Sequence, residues 1–483
     1  MIDQKSQQGT TFVFLNELRE ICGADGVLTE ADELLVYECD GYTVEKRLPE
    51  AVVFPRSTAE CAAVLEVLAR ENIPFTPRGA GTSLAGGCLP VDNGVFVCTS
   101  RMKRIVELDI ENRVAHVEAG VVNLHISNEA GPNGYHYAPD PSSQMACTIG
   151  GNAATNSGGP HTLKYGVTVN HVLGLTMVLS DGRVVTLGGK AEDAPGYDLV
   201  GAVIGNEGTF GVITELFVRL TRTPAAYRTM LGVFDSVDDA TNAVSDIIGV
   251  GIIPAALEMM DRLITNAVED AYGFGFPRDA EAVLIIELDG LEAGLDELVE
   301  QVVGICGKNN VREVRQAADA QERANIWKAR KRAFGAVGRL SPSYCTQDGV
   351  VPRSKLPDIL RFIRAASERH DIRIANVFHA GDGNIHPLLL FDERDADQLR
   401  RVQAASDEIL DECIRLGGSV SGEHGIGVEK IAHLTRLFNE DDLNAQRRLR
   451  TAFDPDGRAN PNKIFAGGVS CGEVFIPRKQ APA

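Results

Sequence analysis

Two short stretches in the second half of the chain hold residues whose types and spacing could do chemistry. The first is His379-Ala380-Gly381-Asp382-Gly383-Asn384-Ile385-His386. If Gly381–Asn384 forms a four-residue hairpin loop, residue 380 pairs with 385 and 379 with 386. The two imidazoles then stand on one face with Cβ atoms roughly 5 Å apart. That separation lets both nitrogens converge on one divalent ion at about 2.1 Å; two unrelated sheet histidines beside a good turn are the alternative. The second stretch is Ser421-Gly422-Glu423-His424-Gly425-Ile426-Gly427, with Lys430 just after it. Its glycines let an acid and an imidazole project from an exposed turn. Glu423 would add an oxygen ligand and leave coordination positions open for a substrate. His424 would be free to act as a base, with an ordinary pKa of about 6.5. Taken singly, each of these residues is more often a surface side chain.

Three glycine-rich loops occupy the first half. Pro77-Arg78-Gly79-Ala80-Gly81-Thr82-Ser83-Leu84-Ala85-Gly86-Gly87 can turn successive amides toward an anion, and a diphosphate is the natural guest. A dinucleotide-binding G-x-G-x-x-G loop is excluded, because Leu84 stands where the third glycine belongs. The second is Ala138-Pro139-Asp140-Pro141-Ser142-Ser143, continuing through Thr148-Ile149-Gly150-Gly151-Asn152-Ala153-Ala154-Thr155-Asn156-Ser157-Gly158-Gly159. Its small side chains suit close helix packing or a long polar cofactor lying on backbone. The third, Ile204-Gly205-Asn206-Glu207-Gly208-Thr209-Phe210-Gly211-Val212-Ile213-Thr214, feeds a strand. One such loop is weak support for a ligand, but packing does not explain three in order.

Together the loops resemble the FAD-binding domain of the vanillyl-alcohol oxidase / p-cresol methylhydroxylase flavoprotein superfamily. The whole set, C-terminal stretches included, resembles that superfamily's D-2-hydroxy-acid dehydrogenase branch. The likeness runs from about Tyr37 to Phe465 and is greatest to the glycolate oxidase flavin-subunit family. It is carried also by Tyr37-Glu38-Cys39-Asp40-Gly41, Leu257-Glu258-Met259-Met260-Asp261, Asp348-Gly349-Val350-Val351-Pro352-Arg353 and Phe453-Asp454-Pro455-Asp456-Gly457. One departure is Asn462, where the family has glycine.

The resemblance implies that Pro77–Ser83 hold the FAD diphosphate. It also implies that Pro139, Asp140, Ser143, Thr148, Gly150, Gly151, Asn152, Asn156, Gly158, Glu207, Gly208, Val212, Ile213 and Asn460 line the rest of the cofactor. Thr82 stands where relatives carry the histidine that attaches FAD, so the flavin is expected to be non-covalent. His379, His386 and Glu423 are expected to hold a divalent metal, zinc or manganese. Arg330 matches the arginine that pairs with the substrate carboxylate, and His424 is the expected base. The implied reaction oxidises a small D-2-hydroxy acid, glycolate or D-lactate, to the 2-oxo acid. Implied partners are a second flavin-domain subunit and an iron–sulfur subunit; a stand-alone dehydrogenase feeding a quinone or cytochrome is the alternative. Two readings of another class, a zinc hydrolase and a non-catalytic flavin-domain scaffold, each leave one set of motifs without a use.

These residues need a scaffold, and the chain alternates accordingly. Strand Ala51–Phe54, a helix opened by the capping box Ser57-Thr58-Ala59-Glu60, and strand Ile73–Arg78 read as a β-α-β unit. Later strands include Leu173–Ser180 and Arg183–Leu187 around an Asp181-Gly182 hairpin turn. From about 228, strands alternate with amphipathic helices, as in an antiparallel sheet covered by helices. The expected fold class is α+β: a two-part FAD-binding domain over 1–224, a substrate- and metal-binding cap domain over 225–420, and a segment 421–483 packing back on the first.

Composition sets the outer limits. With 483 residues and a formal net charge of −20, the chain repels nucleic acid and anionic membrane at long range. An anionic substrate therefore needs a local island of positive charge. None of the ten cysteines forms a C-x-x-C pair, which argues against a resident iron–sulfur cluster or zinc ribbon. With no apolar leader or span-length apolar run, the expectation is a cytoplasmic protein, held at the inner face of a membrane only through partners.

Overall fold

Three large sheets carry the architecture in the computed structural model, which describes residues 14–191 and 195–465. The N-terminal residues read for targeting and Cys471 lie outside the described residues. Ala51–Val53 is a strand, and Ser57 caps the helix Thr58–Arg70 by accepting from the Glu60 amide at 3.2 Å. The Glu60 carboxylate reaches back to the Arg56 amide at 2.8 Å. The returning strand Phe75–Arg78 is parallel, as a β-α-β unit requires, yet it is not adjacent. Val95–Cys98 inserts between the two and pairs parallel with both. All four of its residues are buried, so it needs neighbours on both edges and cover on both faces.

A five-stranded antiparallel sheet follows, in the order Ile105–Asp109, Val114–Glu118, Val212–Arg219, Val172–Val178 and Val184–Gly188. The Asp181-Gly182 hairpin forms as read, with Gly182 at φ +89° and Leu179 bonded to Arg183 across the turn. The small-residue run of the second loop is a short helix, Ile149–Thr155, capped by Thr148. A Cβ on Gly150 would lie 2.7 Å from that of Ala119, so close packing accounts for part of the run.

The remaining large sheet is antiparallel, and its central order is Glu313–Gln316, Ala226–Phe234, Ala282–Gly290, Ala256–Asp261 and Ile374–His379. Both faces are buried. Along one strand, Ala282, Leu284, Ile286 and Leu288 enter one core while Val283 and Ile285 enter the other. That period-2 division explains why the strand reads as a continuous apolar run. The first core is closed by helices Val237–Gly249, Leu295–Lys308, Leu356–His370 and Ala396–Arg415, the second by Arg262–Tyr272 and Ala320–Lys331. The chain after 420 returns to the first domain: Phe453 stacks on Phe210 at 4.6 Å, and Ala459 bridges to Phe75.

The expected His379–His386 hairpin register is corrected. His379 pairs with Asn384, not His386, and the same register continues to pair Pro387 with Asn376. The turn is one residue earlier than read, over 380–383. Gly383 takes φ +82°, and Asp382 accepts from the Asn384 amide at 3.1 Å. Because side chains alternate with period 2, a two-residue shift leaves both histidines on the same face.

Candidate active site

On the second-core face of the cap sheet, a row of polar residues replaces the apolar pattern. Glu258 lies directly opposite His379 in register, and His379 Nδ1 is 2.7 Å from Glu258 Oε1. With that bond made by Nδ1–H, the Nε2 lone pair faces outward. His386 is fixed the same way, its Nδ1 donating to the Gln347 carbonyl at 3.2 Å. Both free Nε2 atoms approach Glu423 Oε1, at 3.3 Å from His379 and 3.1 Å from His386. Three ligand atoms about 2.1 Å from one ion are separated by roughly 3.0–3.4 Å, so the spacing fits a divalent cation. Asp348, His386, Glu423 and His424 also offer ligand atoms close together. His424 Nε2 is 3.9 Å from Glu423 Oε1, farther than either of the other two imidazole nitrogens. His379 and His386 are the two imidazoles nearest Glu423 Oε1, which makes these three a candidate set for a cation.

Charge follows this geometry. Burial opposes protonation of His379, but the Glu258 and Glu423 carboxylates overcome it and push its pKa well above the usual range. Burial would likewise raise Glu423, and His379 and His386 hold it well below. The proton on His379 thus balances the carboxylates that face it, a set that also suits a divalent cation. His424 departs from the ordinary value expected for it: burial lowers it to about 4, so the imidazole is neutral at physiological pH. Its ring is stacked on His386 with centroids 5.0 Å apart, and its Nδ1 has no partner.

The stretch that carries Glu423 and His424 is hung on Asp348, which sequence reasoning quoted but gave no role. Asp348 Oδ2 accepts from Ser421 Oγ at 2.7 Å and from the amides of Gly422, Glu423 and His424 at 3.0, 3.1 and 2.8 Å. Burial would raise this fully buried carboxyl, but the facing His424 and Lys430 hold it well below the usual carboxylate range. Its partners lie some seventy residues away, so no local signal marks it. Glu258 and Glu287 were detectable as acids flanked by apolar residues inside their strands.

The three glycine loops and this cluster line one cavity of about 360 Å³. Its walls include Pro77, Gly79, Ala80, Gly81, Thr82 and Ser83 from the first loop, and Ser143, Thr148, Gly150, Gly151 and Asn152 from the second. Gly208, Val212 and Ile213 come from the third, and His379, His386, Glu423 and His424 face them. Lys331, Phe334, Tyr344 and Thr346 complete the cap side and were not anticipated. Ser83 Oγ is buried without a partner, which fits a phosphate oxygen as its missing acceptor.

Other expected contacts are placed differently. Arg78 lines the cavity with the rest of its loop, but its guanidinium folds over Gly81 beside Tyr37 and Phe96 and donates to the carbonyls of Cys39 and Cys88. Asn460 is fully buried, with Nδ2 donating to the Gly87 and Glu207 carbonyls, so it ties loops one and three together instead of lining the cavity. Asn156 is the left-handed cap of the short helix, and Pro139 accepts from Asn123; neither lines the cavity. Gly158 stands behind the wall, where a Cβ would be 2.9 Å from Glu423 Oε2. Asp140 pairs with His161 at 3.0 Å. Arg330 is fully buried, its Nε donating to Glu258 Oε2 at 2.7 Å. Its Nη1 has no partner, and Nη2, though 2.6 Å from the same oxygen, lies at an angle that makes no hydrogen bond.

His161 turns toward the cap and not toward the cavity. Its Nδ1 faces Asp140, its Nε2 is 3.5 Å from Glu287, and its ring lies 5.1 Å from Trp327. Glu287 also accepts from Trp327 Nε1 at 2.6 Å and from Arg323 in bidentate fashion.

Comparison with known proteins agrees with this architecture. Residues 49–188 match the family model described as an FAD binding domain, and residues 223–464 match that of FAD linked oxidases, C-terminal domain. The chain is 46% identical over 459 residues to glycolate oxidase subunit GlcD of Escherichia coli (strain K12), covering 95% of this chain and 92% of that one. It is 39% identical to the subunit of that name in Bacillus subtilis, over 89% of this chain and 92% of that one. To a D-lactate dehydrogenase of Archaeoglobus fulgidus it is 32% identical, over 86% of this chain and 90% of that one. Among solved structures, substrate-bound p-cresol methylhydroxylase shares the fold with a TM-score of 0.81 at 17% identity, covering 95% of this chain and 98% of that one.

Proposed function

The chain belongs to the FAD-linked oxidases, and from that premise we propose that it oxidises a D-2-hydroxy acid to the 2-oxo acid, with glycolate the first substrate and D-lactate the next. One observation carries the reading: the glycine-loop cavity opens onto the His379, His386 and Glu423 cluster with a neutral His424 beside it. Bound FAD supplies a two-electron acceptor for the hydride, and a bound divalent ion, zinc or manganese, supplies Lewis acidity to the substrate hydroxyl and carboxylate.

The chain's own residues do the rest. The first-loop backbone and Ser83 hold the diphosphate, and Thr82 offers no imidazole for attachment, so FAD is held without a covalent link. Arg330, anchored through Nε on Glu258, keeps Nη1 without a partner, and that nitrogen is left to bind the substrate carboxylate. The divalent ion would supply the positive island that a chain of net charge −20 needs. Glu258 serves two tasks, orienting both Arg330 and His379. His424 takes the hydroxyl proton while the substrate C–H points at the flavin side of the cavity.

We assign the flavin domain to residues 1–224, the cap to 225–420 and the returning segment to 421–483. Electrons then leave to a carrier outside the chain, since none of its cysteines forms a cluster-binding pair. A second flavin-domain subunit and an iron–sulfur subunit are the proposed partners, and they would supply any attachment to the inner face of a membrane. Among the described residues no helix is long and apolar enough to cross one.

Anaerobic mixing of the purified protein with glycolate, D-lactate and L-lactate tests the reading. Flavin absorbance at about 450 nm should bleach with the D- or prochiral acids. A flavin that none of them reduces, or a protein without flavin bands, would sink it.

A further inference from the structure

The stretch 421–427 hangs from two carboxylates that belong to different parts of the fold. Asp348 of the cap holds the amides of residues 422–424. Glu207, from the third glycine loop, holds two that follow: Oε1 accepts from Ile426 at 2.6 Å and Oε2 from Gly427 at 2.7 Å. The fit leaves no slack, because a Cβ on Gly425 would lie 2.7 Å from Glu207 Oε1. Glu207 is itself pinned at both ends of its peptide. Its amide donates to the Ala154 carbonyl at 2.7 Å, and its carbonyl accepts from Asn460 Nδ2 at 2.6 Å. Its backbone sits at φ +52°, a left-handed conformation that glutamate rarely adopts and that persists only where the surroundings impose it.

A buried carboxylate on the wall of a cavity suited to a diphosphate would repel its guest. Burial indeed pushes Glu207 up to about 7, against the pull of the two amides and of Lys430 and Lys463. Both oxygens are turned to the 421–427 stretch, so that is where the cost of burying the acid is offset.

We propose that Glu207 is a positioning residue for the acid–base stretch: it fixes Glu423 and His424 relative to the flavin loops and does not bind the cofactor. The proposal rests on the reading of His424 as the base. It makes the third glycine loop a rigid link between the flavin cavity and the proton acceptor, complementary to the link that Asp348 makes with the cap.

Glu207→Gln keeps one acceptor but sets an NH₂ against a backbone N–H. Gly425→Ala presses on the same contact from the other side and serves where the first variant does not fold. On the FAD-loaded protein, hydrogen exchange should quicken at least about tenfold at one of the Ile426 and Gly427 amides in Glu207→Gln, which loses one acceptor, and at both in Gly425→Ala, which pushes the contact apart. FAD and metal content should stay near wild type. In stopped flow with glycolate, the limiting rate of flavin reduction should fall roughly 10- to 100-fold, as a sub-ångström misplacement does. The substrate concentration giving half that rate should change less than about threefold, because the substrate's own contacts remain. Exchange and limiting rate both at wild-type values would overturn the proposal. So would loss of FAD with a normal rate per remaining flavin, which would make Glu207 a cofactor contact. If the wild type is reduced by no 2-hydroxy acid, the functional reading fails, and the exchange measurement alone decides the tie.

Discussion

Replacing His161 by glutamine should loosen the cap from the flavin domain in a pH-dependent way. His161 sits between Asp140 of the second glycine loop and Glu287 of the cap sheet, with its side chain 20% exposed. Burial opposes its protonation, yet the Asp140 and Glu287 carboxylates raise its pKa from 6.5 to about 10. Each tenfold change in proton affinity is worth about 1.4 kcal/mol, so the full contribution is at most about 5 kcal/mol. Its folded value lies above its unfolded one. The stabilisation is therefore complete below pH 6.5 and disappears as pH rises through about 10. By pH ~9 only about 1–2 kcal/mol should remain. Lys331 and Arg323 stay beside the two carboxylates, so the variant should lose roughly 2–5 kcal/mol at pH ~6, within the range for a broken buried pair. The assay is built in, because the chain's single tryptophan, Trp327, lies 5.1 Å from the His161 ring. Urea titrations followed by its emission read this interface directly. A wild-type-to-variant gap below about 1 kcal/mol at pH ~6, or one that does not narrow by pH ~9, would refute the clamp.

Three further outcomes follow from the site. Acid precipitation should release all yellow colour into the supernatant, since Thr82 replaces an attachment histidine and His161 is committed to the cap; colour in the pellet would contradict both. His386→Ala and Glu423→Ala should abolish turnover with the flavin spectrum intact, and full activity after thorough chelation would count against a metal. His424→Ala should slow flavin reduction by roughly 10²-fold or more while metal content holds, the usual worth of a general base. If that variant loses its ion, His424 is a ligand; if it reduces at the normal rate, it is a bystander.

Much of the fold was legible because local signals agreed with it. The Ser57 cap, the Asp181-Gly182 hairpin and the Ser236 cap of Val237–Gly249 are local bonds, written within a few residues. The strand Ala256–Asp261 and the helix Arg262–Tyr272 went unread as elements, although Asp261 caps that helix. Five consecutive buried residues give no alternation to detect. Strand order was likewise hidden, since nothing local says that Val95–Cys98 slots between two strands joined by a helix.

For the site, residue types alone marked His379, His386, Glu423 and His424, because imidazoles and an acid among glycines are scarce and chemically suggestive. The convergence of their atoms was decided in three dimensions. The register placed His379 opposite Asn384, and His386, two residues beyond it on the same face, reaches the same ion-sized gap. The roles of Asp348, Glu258 and Glu207 were decided there too. A carboxylate that accepts from backbone amides dozens or hundreds of residues away leaves no spacing in the sequence, because it recognises a peptide N–H that every residue but proline carries. The sequence could name the groups that touch a substrate. Only the packed chain could show which acids hold those groups still.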